Sequence, residues 1–224
     1  MEALDNPIHA ALRTIHHGLA HQSGVALRYP AAVAPFYAVP DADSDVDGSI
    51  DALIAPIETV YLLGVAPRHV NDAKLHAFGN LAQMVCDAPL EAIEGPPIVP
   101  LGTEHRNDVL ALTALVYPHY FRPRTMEMGR YFGIYEDGRL AAIIGERLGS
   151  DTTREISAVC THPDFNGRGY ARRLMAFLTN DLLAHGTQPF LHVSHENTRA
   201  KALYLRIGFR VRTDIGFFAL RRES

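Results

Sequence analysis

The segment from Arg154 to His195 constrains the fold more than any other part of the chain. Arg154–Thr161 is rich in β-branched and small residues, which is typical of a strand, and Phe190–His195 has the same character. Between them, Gly167–His185 repeats apolar residues at helical spacing and ends at Gly186. A crossover of this length makes the two strands parallel, with a right-handed connection. The sequence therefore predicts an α/β fold.

The turn that opens this helix, Asn166-Gly167-Arg168-Gly169, favours an anion site. Free N–H groups at a helix start, with the positive end of the helix dipole, attract phosphate. Glycines let the backbone approach a pyrophosphate closely, and Arg168, Arg172 and Arg173 add positive charge. An ordinary strand-to-helix turn with a solvated basic face is the alternative. The turn lacks the Lys-Ser/Thr ending of a nucleoside-triphosphate loop, and Arg172 stands where a dinucleotide motif has its third glycine.

Composition excludes several classes of protein. Of the 224 residues, 47% are hydrophobic and 21% are charged, which is too apolar for a disordered chain. The net charge of −4 argues against a general nucleic-acid binder. We expect no membrane segment, and the absence of a signal-peptide pattern predicts a cytoplasmic protein. Cys86 and Cys160 lie in apolar runs, so we expect buried, reduced thiols.

The chain divides near Pro96-Pro97, which predicts domains over residues 1–95 and 96–224. Short apolar runs alternate with prolines and acidic clusters in the first part, which we interpret as a small α/β unit of unknown role. The second part has a regular pattern. It comprises a strand at Ile98–Leu101, a helix from Thr103 to about Tyr117, a hairpin turning at Asp137-Gly138, the segment described above, a helix at Thr198–Ile207 and a strand at Phe209–Leu220.

Two motifs together resemble those of the GNAT superfamily of acetyl-CoA-dependent N-acetyltransferases. One is the loop within Val159–Ala171, and the other is the pattern Asn-x-x-Ala-x-x-x-Tyr-x-x-x-Gly-Phe over Asn197–Phe209. The resemblance covers about residues 98–220. The order of an N-terminal half followed by such a C-terminal domain is similar to the glycine N-acyltransferase-like branch. Asn166 departs from the family, which usually has Gln or Arg there. The resemblance implies a mixed, centrally splayed sheet, preceded by a smaller divergent α/β domain.

The resemblance also implies an acetyl-CoA site. Main-chain groups of the strand ending at Thr161 would hold the pantetheine arm, as an added strand does at a sheet edge. The turn would hold the pyrophosphate, Asn197 would bind the pantetheine amide region, and Tyr204 would lie near the thioester sulfur. The implied cofactor-binding residues are Val159, Cys160, Thr161, Asn166, Gly167, Arg168, Gly169, Tyr170, Ala171, Asn197 and Tyr204.

Amine acetylation needs a base for the amine and benefits from an acid for the leaving thiolate. Tyr204 fits the acid by chemistry and by its family position. Glu155 and His192 each match a base position in different family members; we favour Glu155, which would share one strand face with Val159 and Thr161. His192 and His195 point to opposite faces of one strand, so we predict no metal site.

The predicted function is transfer of an acetyl group from acetyl-CoA to a primary amine of an unidentified acceptor, a small molecule or a peptide. Two alternatives stay open: an enzyme that transfers a longer acyl chain to an amino acid, and a catalytically silent CoA-binding sensor or scaffold. We expect no nucleic-acid or membrane partner, and a homodimer stays open.

Overall fold

The computed structural model describes residues 2–71, 73–116, 118 and 120–223. The helices are α1 (Pro7–Arg13), α2 (Ser49–Leu53), α3 (Arg106–Val116), α4 (Tyr170–Ala184) and α5 (Thr198–Ile207). The strands are β1 (His21–Ser23), β2 (Ala26–Arg28), β3 (Tyr37–Ala38), β4 (Thr59–Leu63), β5 (Ala73–Val85), β6 (Val99–Leu101), β7 (Tyr131–Glu136), β8 (Arg139–Gly149), β9 (Thr153–Thr161), β10 (Gln188–Ser194) and β11 (Arg210–Arg222).

Eight strands form one mixed sheet in the order β4-β11-β5-β10-β9-β8-β7-β6. Strands β9 and β10 run parallel, as predicted, and the other neighbours in this sheet are antiparallel. The predicted boundary at residues 95 and 96 falls between β5 and β6, so residues 1–95 contribute two strands to this sheet. They also form a smaller sheet of their own, β1-β2-β3.

The sheet splays open between β9 and β10. The two strands pair only over Thr153–Glu155 and Gln188–Phe190, at the start of each strand. Beyond these residues β9 pairs with β8 alone, and a bulge interrupts that pairing at Ala158, which has a φ of +52°. A bulge inserts one residue and therefore reverses which face the following side chains point to.

This bulge overturns the expected face of Glu155. Val159 packs with Ile156 in the apolar cluster beneath α4, whereas Glu155 precedes Ile156 on the strand and points to the opposite face. Glu155 and Val159 therefore do not share a face. The prediction was wrong because simple strand alternation cannot anticipate an inserted residue.

Helices cover both faces of the sheet. On one face, α4 and α5 bury a continuous apolar cluster that includes Leu174, Leu178 and Leu191. On the opposite face, α1 packs Ile8 and Leu12 in a cluster with the strand residues Leu148 and Phe190, and α3 covers the β7–β9 region through a further cluster. Burying each such side chain contributes about 1.5–3 kcal/mol.

Most local elements agree with the sequence, with small shifts at their ends. Helix α5 has the predicted bounds, and Asp137 and Gly138 have φ values of +51° and +71°, as a type I′ hairpin turn requires. Thr103 begins a short 3₁₀ helix, and α3 starts at Arg106 instead. The predicted helix end, Tyr117, lies outside the described residues.

Two further findings concern the membrane and the cysteines. Among the described residues, no helix combines the length and apolar character needed to cross a bilayer. Both cysteines are buried and unbridged.

We predict that residues 96–224 do not fold alone. Strand β5 lies between β10 and β11, so its removal leaves a gap in the sheet and uncovers the cluster to which Ala82 and Met84 belong. The truncated chain should be insoluble or lack native secondary structure, as measured by circular dichroism and gel filtration. A soluble, monomeric fragment with a native spectrum would contradict this prediction.

Candidate active site

The opening between β9 and β10 leaves one edge of β9 without a strand partner among the described residues. From Ile156 to Thr161, this strand is paired only on the side of β8. An extended ligand can hydrogen-bond to such an edge as an added strand does.

Cys160 itself points into the core, and burial raises the pKa of its thiol to about 12, so the thiol is not a nucleophile here.

The glycine turn lies at the mouth of this opening, before the first turn of α4. Gly167 and Gly169 have φ values of +81° and +80°, which explains why α4 begins only at Tyr170. A Cβ placed on either glycine would meet no other atom within 4 Å, and residues 166–169 are exposed. The first N–H groups of α4 have no partner within the helix. The turn is therefore an open cradle with the electrostatic character that phosphate requires.

The side chains around the turn carry a feature that the sequence did not reveal. Glu136, at the end of β7, accepts hydrogen bonds from both Arg168 and the Tyr170 hydroxyl. Its carboxylate therefore already balances the charge of Arg168. A bound phosphate would have to compete with Glu136 for this arginine.

The next two arginines, in the first turn of α4, contact the segment between β5 and β6. Arg172 forms an exposed ion pair with Glu91 at 2.8 Å. Arg173 binds the carbonyl of Ile93, and its Nε donates to the Pro96 carbonyl at 3.1 Å. Arg173 thus fastens the connection between β5 and β6 to α4.

On the other side of the opening, α5 carries Tyr204, and Asn197 is the N-cap residue of this helix. The Asn197 Oδ1 accepts a hydrogen bond from the Ala200 N–H at 3.1 Å and caps the helix. The Tyr204 side chain belongs to the apolar cluster on the α4 face, with its ring centre 6.1 Å from that of Phe209. Tyr204 is therefore on the opposite face of the sheet from Glu155.

Glu155 and His192, the two alternative bases, are in direct contact. The His192 Nδ1 lies 2.7 Å from the Glu155 Oε1, across the point where β9 and β10 separate. Both side chains are almost sealed from solvent, with 1% of Glu155 and 2% of His192 exposed. The two residues predicted as alternative bases therefore form one hydrogen-bonded pair.

Arg147 holds the Glu155 carboxylate in its ionised form. The guanidinium donates two hydrogen bonds to it, at 2.9 Å and 2.6 Å, and the Leu148 N–H lies 3.3 Å from the same carboxylate. Burial alone would raise the pKa of Glu155, but Arg147 and His192 outweigh it and hold the pKa far below its ordinary value. Such a carboxylate orients a histidine well and is a poor base near neutrality.

Gln83 completes the unit from β5. Its Oε1 accepts from the Arg212 guanidinium at 2.9 Å, which identifies the other atom as the amide nitrogen. That nitrogen donates to the Leu4 carbonyl at 2.7 Å and lies 3.0 Å from the His192 Nε2. The His192 Nε2 is therefore the unprotonated acceptor, and Nδ1–H donates to Glu155.

Sequence reasoning missed Gln83, since it lies in a region without a catalytic pattern. The one available signal is a polar residue in the middle of the apolar run Leu81–Cys86. His195, by contrast, is exposed and bonds to Asp214 at 2.9 Å, away from His192. Among the described residues there is no group of three or more His, Cys, Asp or Glu able to hold a metal.

Comparisons with known proteins agree with this architecture. The FR47-like protein family model matches residues 131–217. A solved structure from Novosphingobium aromaticivorans, assigned to the GNAT family of acetyltransferases, is 30% identical over the full length of both chains, with a TM-score of 0.89. The chain belongs to the GNAT family. No match was found among proteins with curated functions.

More distant GNAT structures share the fold. A GCN5-related N-acetyltransferase from Kribbella flavida has a TM-score of 0.63 at 14% identity, over 97% of this chain and 96% of its own. A GCN5-related N-acetyltransferase-like protein from Streptococcus suis has a TM-score of 0.56 at 12% identity, over 95% and 92%. These two structures show the fold alone, and it is the Novosphingobium match with the FR47-like model that supports acyl transfer in general.

The Glu155 pair predicts how the stability of this GNAT protein depends on pH. An unfolded glutamate titrates near about 4.3. Because the pKa is lower in the folded chain, Glu155 contributes stability above that pH and loses the contribution as the pH falls. We expect Glu155→Gln to lower the free energy of unfolding at pH 7 by about 3–5 kcal/mol, since Arg147 loses its partner. The same change should flatten the decline in acid.

Urea unfolding at about pH 7, 4 and 3 measures this dependence. Glu94→Gln changes an exposed carboxylate and is the matched control, which should behave as the native protein does. An acid decline as steep in Glu155→Gln as in the native protein would argue that other groups cause it.

Proposed function

We propose that this protein transfers an acetyl group from acetyl-CoA to the primary amine of a small molecule or peptide. The observation that carries the proposal is the His192–Glu155 pair at the point where β9 and β10 separate. A neutral imidazole with its Nδ1–H fixed by a carboxylate presents an Nε2 lone pair, which is the form a general base needs.

The fit of acetyl-CoA rests on the two features of the opening. The exposed turn Asn166–Gly169 and the first turn of α4, including Tyr170 and Ala171, would hold the pyrophosphate. The free edge of β9, from Val159 to Thr161, would hold the pantetheine arm, with Asn197 opposite at the N-cap of α5. Tyr204 on the same helix would lie near the sulfur.

In the proposed reaction, the His192 Nε2 takes a proton from the acceptor amine while the amine nitrogen bonds to the carbonyl carbon of the acetyl group. The bond between that carbon and the sulfur breaks, and the Tyr204 hydroxyl gives a proton to the leaving sulfur. Glu155 holds the His192 ring and stabilises its charge. This assignment reverses the preference for Glu155 as the base, because Arg147 keeps the pKa of Glu155 too low for proton capture.

Burial of the pair favours a second candidate, the catalytically silent CoA-binding protein. With Glu155 and His192 almost inaccessible, the same contacts could serve stability alone. Catalytic turnover separates this candidate from the enzyme.

For cofactor binding, we expect acetyl-CoA to raise the melting temperature, since a ligand of the folded state stabilises it. Gly169→Val should abolish this rise because the side chain occupies the open cradle. Gly186→Val is the matched control: Gly186 also has a positive φ and open surroundings, and it lies at the other end of α4. Differential scanning fluorimetry measures both. Equal rises in the two variants would exclude the turn as the site.

For turnover, thiol release from acetyl-CoA is measured across a panel of amines, peptides and amino acids, with a longer acyl-CoA in parallel. His192→Gln and Tyr204→Phe should each lower kcat by about 10²–10⁴-fold, the usual contribution of acid–base groups. Binding of acetyl-CoA should change little in Tyr204→Phe, which keeps the ring in the apolar cluster.

The pH profile tests the base. The neutral-pH limb of kcat/KM should disappear in His192→Gln, and a high pH should partly restore the rate as the acceptor loses its proton unaided. If the neutral-pH limb of kcat/KM persists in His192→Gln and disappears in Glu155→Gln, Glu155 is the base. Acetyl-CoA binding without turnover on any amine would favour the silent binding protein.

A further inference from the structure

The Gln83 carboxamide makes the two contacts that a reacting amine would need. Its NH₂ group lies 3.0 Å from the His192 Nε2 and 2.7 Å from the Leu4 carbonyl oxygen. A primary amine needs a base for one N–H and an acceptor for another as it attacks. The amide nitrogen of Gln83 therefore stands in an amine-like position against the proposed base.

The Leu4 carbonyl belongs to a short segment, Glu2–Asn6, that lies over Gln83. The Asn6 amide donates to the Val39 carbonyl at 2.7 Å. The Asp5 carbonyl lies so close to Gly64 that a Cβ there would be only 2.0 Å from it. The inner side of this segment is thus fitted closely to the structure beneath it.

Arg212 ties the segment to Gln83. One guanidinium nitrogen donates to the Gln83 Oε1 at 2.9 Å, and another donates to Glu2 and Asp5 carboxylates at 2.7 Å each. The burial is graded: Gln83 is fully buried, 20% of the Arg212 side chain is exposed, and 42% of Asp5 and 77% of Glu2 are exposed. Solvent-exposed ion pairs are weak, so the Arg212–Glu2 contact can open at little cost.

We propose that Gln83 is an internal stand-in for the acceptor amine, and that Glu2–Asn6 with Arg212 forms a latch that holds it there. The acceptor binds by displacing the Gln83 amide, and its nitrogen then lies between the His192 Nε2 and the Leu4 carbonyl. The inference rests on the proposed function for the identity of the displacing ligand. It also explains how a base so deeply buried can belong to an enzyme.

The first experiment compares Gln83→Ala and Gln83→Glu by steady-state kinetics. Gln83→Ala removes the stand-in, so KM for the acceptor should fall by about fivefold to a hundredfold, as expected for one or two hydrogen bonds no longer displaced. Gln83→Glu matches the native size but places an acceptor against Nε2, which holds His192 protonated, so kcat should fall by about a hundredfold or more. Equal losses in both variants would overturn the proposal and leave Gln83 a structural residue.

The second experiment does not depend on turnover. Arg212→Met removes the guanidinium contacts to Gln83, Glu2 and Asp5. Diethyl pyrocarbonate then reports access to unprotonated histidine nitrogens, located by mass spectrometry. His192 should be modified at least about tenfold faster than in the native protein, as expected if the open state becomes more populated. His195, which is exposed, should react equally in both proteins.

Unchanged modification of His192 would overturn the latch. If Arg212→Met fails to fold by circular dichroism, the doubly exchanged Glu2→Gln, Asp5→Asn protein decides in the same way, because it loosens only the exposed contacts. If no amine is acetylated by the native protein or any variant, the proposed function fails, while the rate of His192 modification still decides whether the latch exists.

Discussion

The ion pair between Arg147 and Glu155 is the interaction on which the rest of the site depends. A carboxylate sealed from water is tolerable only when charge and hydrogen bonds replace its hydration, and Arg147, Leu148 and His192 supply them. The guanidinium carbon in turn lies 5.1 Å from the ring centre of Phe36, so residues 1–95 cover this pair directly. The first part of the chain therefore helps to exclude water from this buried ion pair.

The contact between His192 and Glu155 lies at the point where the sheet splays open. Backbone pairing between β9 and β10 ends at Glu155 and Phe190, and the hydrogen bond from His192 to Glu155 spans the place where it ends. Beyond it, the bulge at Ala158 turns the next side chains of β9 to the other face. Glu155 and Val159 thus lie close in sequence yet on opposite faces of the sheet.

Local sequence signals predicted the parts of this structure that local chemistry determines. The Asn197 cap and Gly208 delimit α5, the Asp137-Gly138 turn defines the hairpin, and the length of α4 makes β9 and β10 parallel. The place of β5 between β10 and β11 could not be predicted, because it depends on pairing between distant segments. For the same reason the sequence identified Glu155 and His192 only as alternative bases. Their contact with each other, and the contact of Gln83 with His192, could not be predicted from the spacing of the residues.

The position of β5 has a consequence for how the chain folds. Its sheet neighbours, β10 and β11, follow it by about 100 residues or more, so during synthesis β5 emerges long before either. Contacts of such separation form slowly, because the intervening loop must close first. Until then the apolar residues of β5 have no neighbouring strand, and in the nascent chain they can associate with any other unpaired strand. Chaperone dependence and inclusion bodies during rapid expression are the expected cost of a sheet whose centre is completed last.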